Sequence, residues 1–243
     1  MTARRLDRLL ANLGYGSRRE IATLAASGAI RFGERILDDP AERLTLTTDL
    51  AVGLTVSGEA IDPLPPLTLV MNKPAGLVCS HREPGRSVYE LLPERWRGRT
   101  PAISTAGRLD AETTGLLLLS EDGDLIHRIT APRRHVAKRY LAGLERPLSG
   151  EETALFASGD LLLEGEDRPL KPARLEVLGP RLCRLTISEG RHRQVRRMFA
   201  ATNNEIVRLH REAIGELLLP EDLAPGAWRP LRADEMSKLL GEL

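Results

Sequence analysis

The sequence predicts an α+β chain of two unequal domains. Three observations carry that expectation. The first sixty residues alternate short helical patterns with hairpin-like strands. Residues 61–67 (I-D-P-L-P-P-L) are proline-rich, so stiff and extended. Beyond them, strand-length apolar runs are interleaved with helix patterns, and Leu116–Leu119 reads as a strand buried on both faces. The expected division is a small domain at 1–60, a linker at 61–67 and a larger domain at 68–243.

Composition narrows the function classes. An apolar content of 42% builds a real core and argues against disorder. The net charge of +1 is uninformative, but its distribution is not. Residues 181–211 hold eight arginines against two glutamates, and residues 4–35 hold seven arginines against three acidic residues. Two positive segments in a near-neutral chain point to a polyanionic partner. The two cysteines, Cys79 and Cys183, are far apart, which fits a reducing cytosol without a structural disulfide. The five histidines form no ligand spacing, so no metal is expected. Neither a signal-peptide pattern nor a membrane-length apolar run is present, so a cytoplasmic location and no membrane partner are expected. No oligomer signal stands out, which leaves a monomer as the expectation.

In the first sixty residues, Leu6, Leu9, Leu10 and Leu13 have helical spacing, and Gly14 sits where a helix C-terminal glycine belongs. Ser17 and Glu20 form a capping box for a second helix carrying Ile21, Leu24 and Ala25 on one face, ended by Gly28. Residues 29–37 read as a tight hairpin turning at Gly33-Glu34, and 52–56 as a further strand. The stretches R-L-D-R-L-L-A-N-L-G-Y-G-S-R-R-E-I-A-T-L and S-G-A-I-R-F-G-E-R-I closely resemble the S4 RNA-binding domain. That resemblance implies RNA contacts from the second helix and hairpin, with Arg5, Arg18, Arg19 and Arg31 as candidates. Arginines near a helix N-terminus bind phosphate through charge and beside free N–H groups.

The larger domain opens with a strand from Thr68 to Met71, then a turn, Asn72-Lys73-Pro74-Ala75-Gly76, expected to present Lys73. Ser87–Leu92 suggests a short helix, and Trp96 is expected in the core. The stretch A-G-R-L-D-A-E-T-T-G-L-L-L-L-S-E-D-G sets Arg108, Asp110, Glu112, Thr113 and Thr114 directly against the leucine strand. A carboxylate at the entry to a buried strand is costly to desolvate without a partner. Taken alone, Asp110 is open to two readings, a turn-forming aspartate or a chemical group. A helix at 124–130, a basic run entering a strand that presents Tyr140, and a helix start at Ser149 follow. Two strands then meet at Gly179-Pro180, and Ser188–Arg191 makes a turn into a helix at about 192–201. A strand-like run at 205–214 and a terminal helix from Asp234 close the chain.

G-R-L-D-A-E-T-T-G-L-L-L-L-S-E-D-G, then K-R-Y, then I-S-E-G-R-H-R-Q-V-R-R-M resemble the three signature motifs of RsuA-type pseudouridine synthases. M-N-K-P-A-G-L-V-C-S and L-H-R-E-A-I-G match as well, so the similarity spans almost the whole chain. The resemblance implies a mixed, mostly antiparallel sheet flanked by helices, and isomerisation of a uridine within ribosomal RNA without cofactor or metal. It makes Asp110 the catalytic nucleophile, Tyr140 the ring that stacks on the uracil, and Arg196 the cation beside Asp110. A carboxylate can attack a sugar carbon covalently, and proton abstraction is the alternative route. Arg108 becomes the candidate for the gap left by a flipped uridine. Lys73, Lys138, Arg191, Arg193 and Arg197 become candidate RNA contacts. The R-Q-V-R-R form also occurs in large-subunit relatives, while T-I-S-E-G, R-R-M-F-A-A and L-A-P-G-A-W-R-P-L favour the small-subunit type. The expected substrate is therefore 16S rRNA, free or in a partly assembled small subunit, with 23S rRNA next. A non-catalytic S4-type assembly protein is the rival of a different class.

Overall fold

The computed structural model describes residues 3–240. It divides into two compact units, 1–67 with 92–104, and 68–91 with 105–243.

The first unit begins with strand β1 (Ala3–Arg5) and helix α1 (Leu6–Asn12), whose Leu6, Leu9 and Leu10 are wholly buried. Helix α2 (Arg18–Ala26) carries the expected capping box: Ser17 Oγ accepts from Glu20 N, and Ser17 N donates to Glu20 Oε2 at 2.7 Å. Strands β2 (Ile30–Phe32) and β3 (Arg35–Ile36) form the hairpin, with Gly33 at φ +57 in its turn. Strand β4 (Arg43–Thr45) pairs with β1, a strand pair the sequence did not suggest.

Two departures occur here. Residues 52–56 are expected as one strand, but Gly53 ends helix α3 (Thr48–Gly53), and only β5 (Leu54–Val56) is extended. Thr47 Oγ1 caps α3 by accepting from Leu50 N at 3.1 Å, and Leu50 is buried, so a cap and one anchor override the β-prone Val52. Strand β6 (Glu59–Ala60) follows, pairing with β5. The second departure concerns the domain division. Ile61 lies in the core of this unit, and Asp62 accepts from Nε and Nη2 of Arg95 at 2.7 and 3.1 Å. Arg95 also lies 4.3 Å over the ring of Tyr15, and Arg99 donates to Pro63 O. Residues 61–67 are thus part of this unit's packing, and 92–104 return to it with Trp96 buried, although the sequence places 92–104 in the second domain.

The second unit is built on a nine-stranded sheet. In chain order its members are β7 (Thr68–Lys73), the short β8 (Ser104–Thr105), β9 (Thr114–Ser120), β10 (Lys138–Leu144), β11 (Arg174–Gly179), β12 (Leu182–Ile187), β13 (Ile206–Ile214), β14 (Leu217–Leu218) and β15 (Trp228–Pro230). The main order is β11-β12-β10-β13-β9-β7-β15. Every pairing along it is antiparallel except β13 with β9, so the sheet is mixed and mostly antiparallel as expected. Helices α4 (Gly123–Thr130), α5 (Glu152–Ser158), α6 (Gln194–Ala200) and α7 (Ala233–Leu240) flank it. Leu116 to Leu119 are all fully buried. Successive strand residues face opposite sides, so both faces of β9 are covered. Burial at about 25 cal/mol per Å² makes this strand a rigid base for the loop before it.

The parallel β9–β13 contact is unusually close at one point. Gly115 is the partner of Arg211 and has φ +103. A Cβ there would stand 2.8 Å from Arg211 N and closer still to Arg211 O. Among the described residues no helix is long and apolar enough to cross a membrane.

Two expected outcomes follow from this packing. Gly115→Ala strains the backbone and forces β13 away, so it should cost at least about 3 kcal/mol. Urea denaturation should show a lower midpoint with an unchanged slope. In the first unit, the Arg5 guanidinium, assisted by Arg18, holds the Asp7 carboxyl at about 2, below its ordinary 3.8. The native unit therefore binds fewer protons than the unfolded chain between those values. Its stability is fully present above about pH 4 and declines as pH falls through about 2. Protection factors of the α1 amides should follow that decline in the wild type and stay flat in Asp7→Asn.

Candidate active site

The loop 106–113 leads into β9 and is held by backbone bonds. Gly107 turns at φ +81, Thr113 N donates to Asp110 O at 3.0 Å, and Gly76 N donates to Ala111 O at 2.8 Å. Lys73 completes the hold from beneath. Its side chain is wholly buried, and Nζ donates to the carbonyls of Pro74, Ala111 and Thr113, each at 2.9 Å. Three donors meet three acceptors, which offsets burying the ammonium. Burial still pushes its pKa down. Lys73 is therefore not the exposed RNA contact expected from the sequence. Lys73 ends β7, and its charge is used inside the protein, on the backbone just after Asp110.

Asp110 opens into a cavity of about 450 Å³. Its Oδ2 lies 3.8 Å from Nε of Arg196, and the two side chains are 34% and 19% exposed. Arg196 reaches this position from α6 and is steadied by Nη1 donating to Ile206 O at 2.9 Å. Helix α6 begins at Gln194, two residues later than the sequence pattern suggests. The buried Gln194 side chain organises that start, accepting from Arg191 N at 2.9 Å and donating to Glu189 at 3.1 Å. Tyr140, 8% exposed, lines the same cavity from the middle of β10, opposite Leu185 on β12 and Arg211 on β13. The three residues that the motifs single out, spread from position 110 to position 196 of the sequence, thus meet in one cavity. A carboxylate with a cation beside it and an aromatic ring nearby can hold a planar base and act on the carbon attached to it.

The remaining expected contacts separate into groups. Arg108 projects from the loop, 61% exposed, and pairs with the exposed Glu83. Lys138 and Arg193 line the cavity. Arg193 has φ +48 just ahead of α6. Arg191 also lines the cavity, but its guanidinium serves Glu166, Glu189 and the carbonyls of Arg168 and Pro169. Arg197 bonds to Glu166 and the Glu164 carbonyl. Arg191 and Arg197 therefore fix the 164–169 loop against α6 and are not free phosphate contacts. In the first unit, Arg5 and Arg18 converge on Asp7 yet remain 42% and 60% exposed. Arg19 is exposed and makes no ion pair among the described residues, while Arg31 donates to Glu34 O at 3.0 Å.

Two cavity residues have no assigned role in the sequence reading. Arg211 is 3% exposed, with Nε donating to Leu116 O at 2.7 Å and Nη2 buried without a partner among the described residues. Thr113 likewise buries an unpartnered hydroxyl. The L-H-R-E-A-I-G match held the signal for Arg211, but a strand pattern does not tell which alternate residues face a cavity. Among the described residues no group of three His, Cys, Asp or Glu side chains could hold a metal ion. Both cysteines are buried and free.

Known proteins resemble this chain in both sequence and fold. Residues 67–201 match the RNA pseudouridylate synthase family, and residues 4–50 match the S4 domain. The ribosomal small subunit pseudouridine synthase A of Yersinia pestis is 40% identical over 236 residues, 97% of each chain. That of Pseudomonas aeruginosa is 40% identical over 96% of this chain and 98% of its own. The Escherichia coli K12 protein of the same name is 47% identical over 72% of this chain and 74% of its own. A crystal structure of a pseudouridylate synthase superposes with a TM-score of 0.68 at 36% identity, covering 97% of this chain and 99% of that one. With an S4 domain ahead of a sheet that gathers Asp110, Tyr140 and Arg196 in one cavity, the chain belongs to the RNA pseudouridylate synthase family.

Proposed function

We propose that this chain converts one uridine of small-subunit (16S) ribosomal RNA to pseudouridine. The observation that carries the proposal is the Asp110–Arg196 pair beside Tyr140 in a single cavity, in a chain whose relatives bear small-subunit names. Asp110 acts on the sugar of a flipped uridine. Arg196 counters its charge within the partly closed site. Tyr140 stacks on the uracil, a geometry suited to a base taken out of a helix. Arg108 enters the gap the base leaves. Its pair with Glu83 is exposed on both sides and worth at most about 1 kcal/mol, so RNA can displace Glu83. The first unit supplies sequence-independent affinity through Arg5, Arg18, Arg19 and Arg31. The protein works as a monomer in the cytoplasm, on free RNA or a partly assembled subunit, and needs no cofactor.

The test is pseudouridine mapping by base-specific adducts and primer extension on rRNA from cells with and without the protein. Wild type should restore one stop in 16S rRNA. Asp110→Asn should lower the rate of product formation by at least about 10³-fold while RNA affinity stays within about threefold. A restored stop in 23S rRNA would move the substrate to the large subunit. Unchanged product from the purified variant would remove Asp110 from the mechanism. RNA binding without product from the wild type would favour an assembly protein.

A further inference from the structure

The cavity holds more positive charge than Asp110 uses. Arg196 is committed to Asp110 and Ile206 O. Two other cations line the same cavity from the sheet. Lys138 and Tyr140 lie two apart on β10, so their side chains share a face, and Arg211 on β13 is the cross-strand partner of Tyr140. Arg211 is buried and has an unpartnered Nη2. Lys138 is half-buried, and its ammonium makes one long bond, 3.4 Å, to Ile129 O. Among the described residues it has no carboxylate partner. Burial, with the like charge of Arg211, pushes Lys138 down to about 8. The other charged or titratable groups of the cavity wall are Arg108 and Asp110 on the loop, Tyr140 on β10, Glu189, Arg191, His192 and Arg193 ahead of α6, and Arg196 within it. Two mutually repelling cations, neither paired with a carboxylate among the described residues, are costly in a fold and useful in a site that must meet negative charge.

The isomerisation creates such a charge. When the N1–C1′ bond breaks, its electron pair stays with the base, and the charge spreads over N1, O2 and O4. C1′ is taken by an Asp110 oxygen, or a C2′ proton leaves to give a C1′–C2′ double bond. The base then turns and C5 bonds to C1′. In the first route this displaces the Asp110 oxygen, and in the second C2′ regains its proton. C5 loses its proton and N1 gains one. The balance is one C–N and one C–H bond exchanged for one C–C and one N–H bond, with no oxidant or reductant.

We propose that Lys138 donates to a carbonyl oxygen of the uracil and carries its negative charge while the base is detached from the sugar. This rests on the isomerase reading above. It makes Lys138 a catalytic residue rather than an RNA-backbone contact.

The test uses the full-length protein, its Lys138→Met and Lys138→Arg variants, and 16S rRNA from cells lacking the protein. Lys138→Met should lower kcat about 10²-fold with KM changed less than about threefold, as for loss of one charge-stabilising donor. For the wild type, kcat/KM should decline as pH rises through about 8, because the free enzyme loses the ammonium there. In Lys138→Arg, which folds with the charge retained, that decline should vanish up to about pH 9.5, since guanidinium does not deprotonate in this range. A kcat for Lys138→Met within threefold of wild type, a loss confined to KM, or the same alkaline decline in Lys138→Arg would each overturn the proposal. Those outcomes leave the isomerase reading standing, whereas a wild type that forms no pseudouridine overturns both.

Discussion

The ammonium of Lys73 is the interaction on which the second unit's site depends. A fully buried lysine is among the costlier features a protein can carry, and here its three N–H groups each find a carbonyl. Two of those carbonyls, Ala111 and Thr113, follow Asp110 in the chain by one and three residues. The loop is therefore anchored through its backbone, leaving the Asp110 side chain directed to the cavity. The leucine strand β9 supplies the rigid floor, and Gly115 lets β13 approach closely enough to bring Arg211 under the same cavity. Remove the clamp and three buried acceptors lose their partner at once, at about 1–3 kcal/mol each.

The arginines divide by what they hold. Arg191 and Arg197 tie the 164–169 loop to α6 through Glu166, and this bracing fixes the helix that delivers Arg196. Arg108, Arg19 and Arg193 remain open to solvent. A basic segment in sequence is thus partly a scaffold and partly an RNA surface, and only the second part should contribute to the salt dependence of binding.

Much of the architecture is legible in the residues because local physics decides it. The Ser17–Glu20 box, the Gly33 hairpin and the four leucines are each set by a cap, a turn or burial acting over a few positions. Asp110, Tyr140 and Arg196 were found as motif residues, and the fold explains why such distant positions belong together. What was not legible depends on distance along the chain. Lys73 reads as a turn residue because the carbonyls that hold it lie 38 and 40 residues away. The return of 92–104 to the first unit rests on Asp62 and Tyr15 meeting Arg95, a pairing no local pattern announces. Arg211 sits in a strand whose alternate faces the sequence does not distinguish.

The central claim is that the buried ammonium positions Asp110. Lys73→Met keeps the length and removes the charge, and amide hydrogen exchange at Thr113 and Gly76, read beside pseudouridine formation, tests the claim most directly. The account predicts that protection at these two amides collapses while β10 and β12 stay protected, and that product formation falls by at least about 10²-fold with RNA binding retained. Unchanged protection at Thr113 and Gly76 together with wild-type product formation would contradict it.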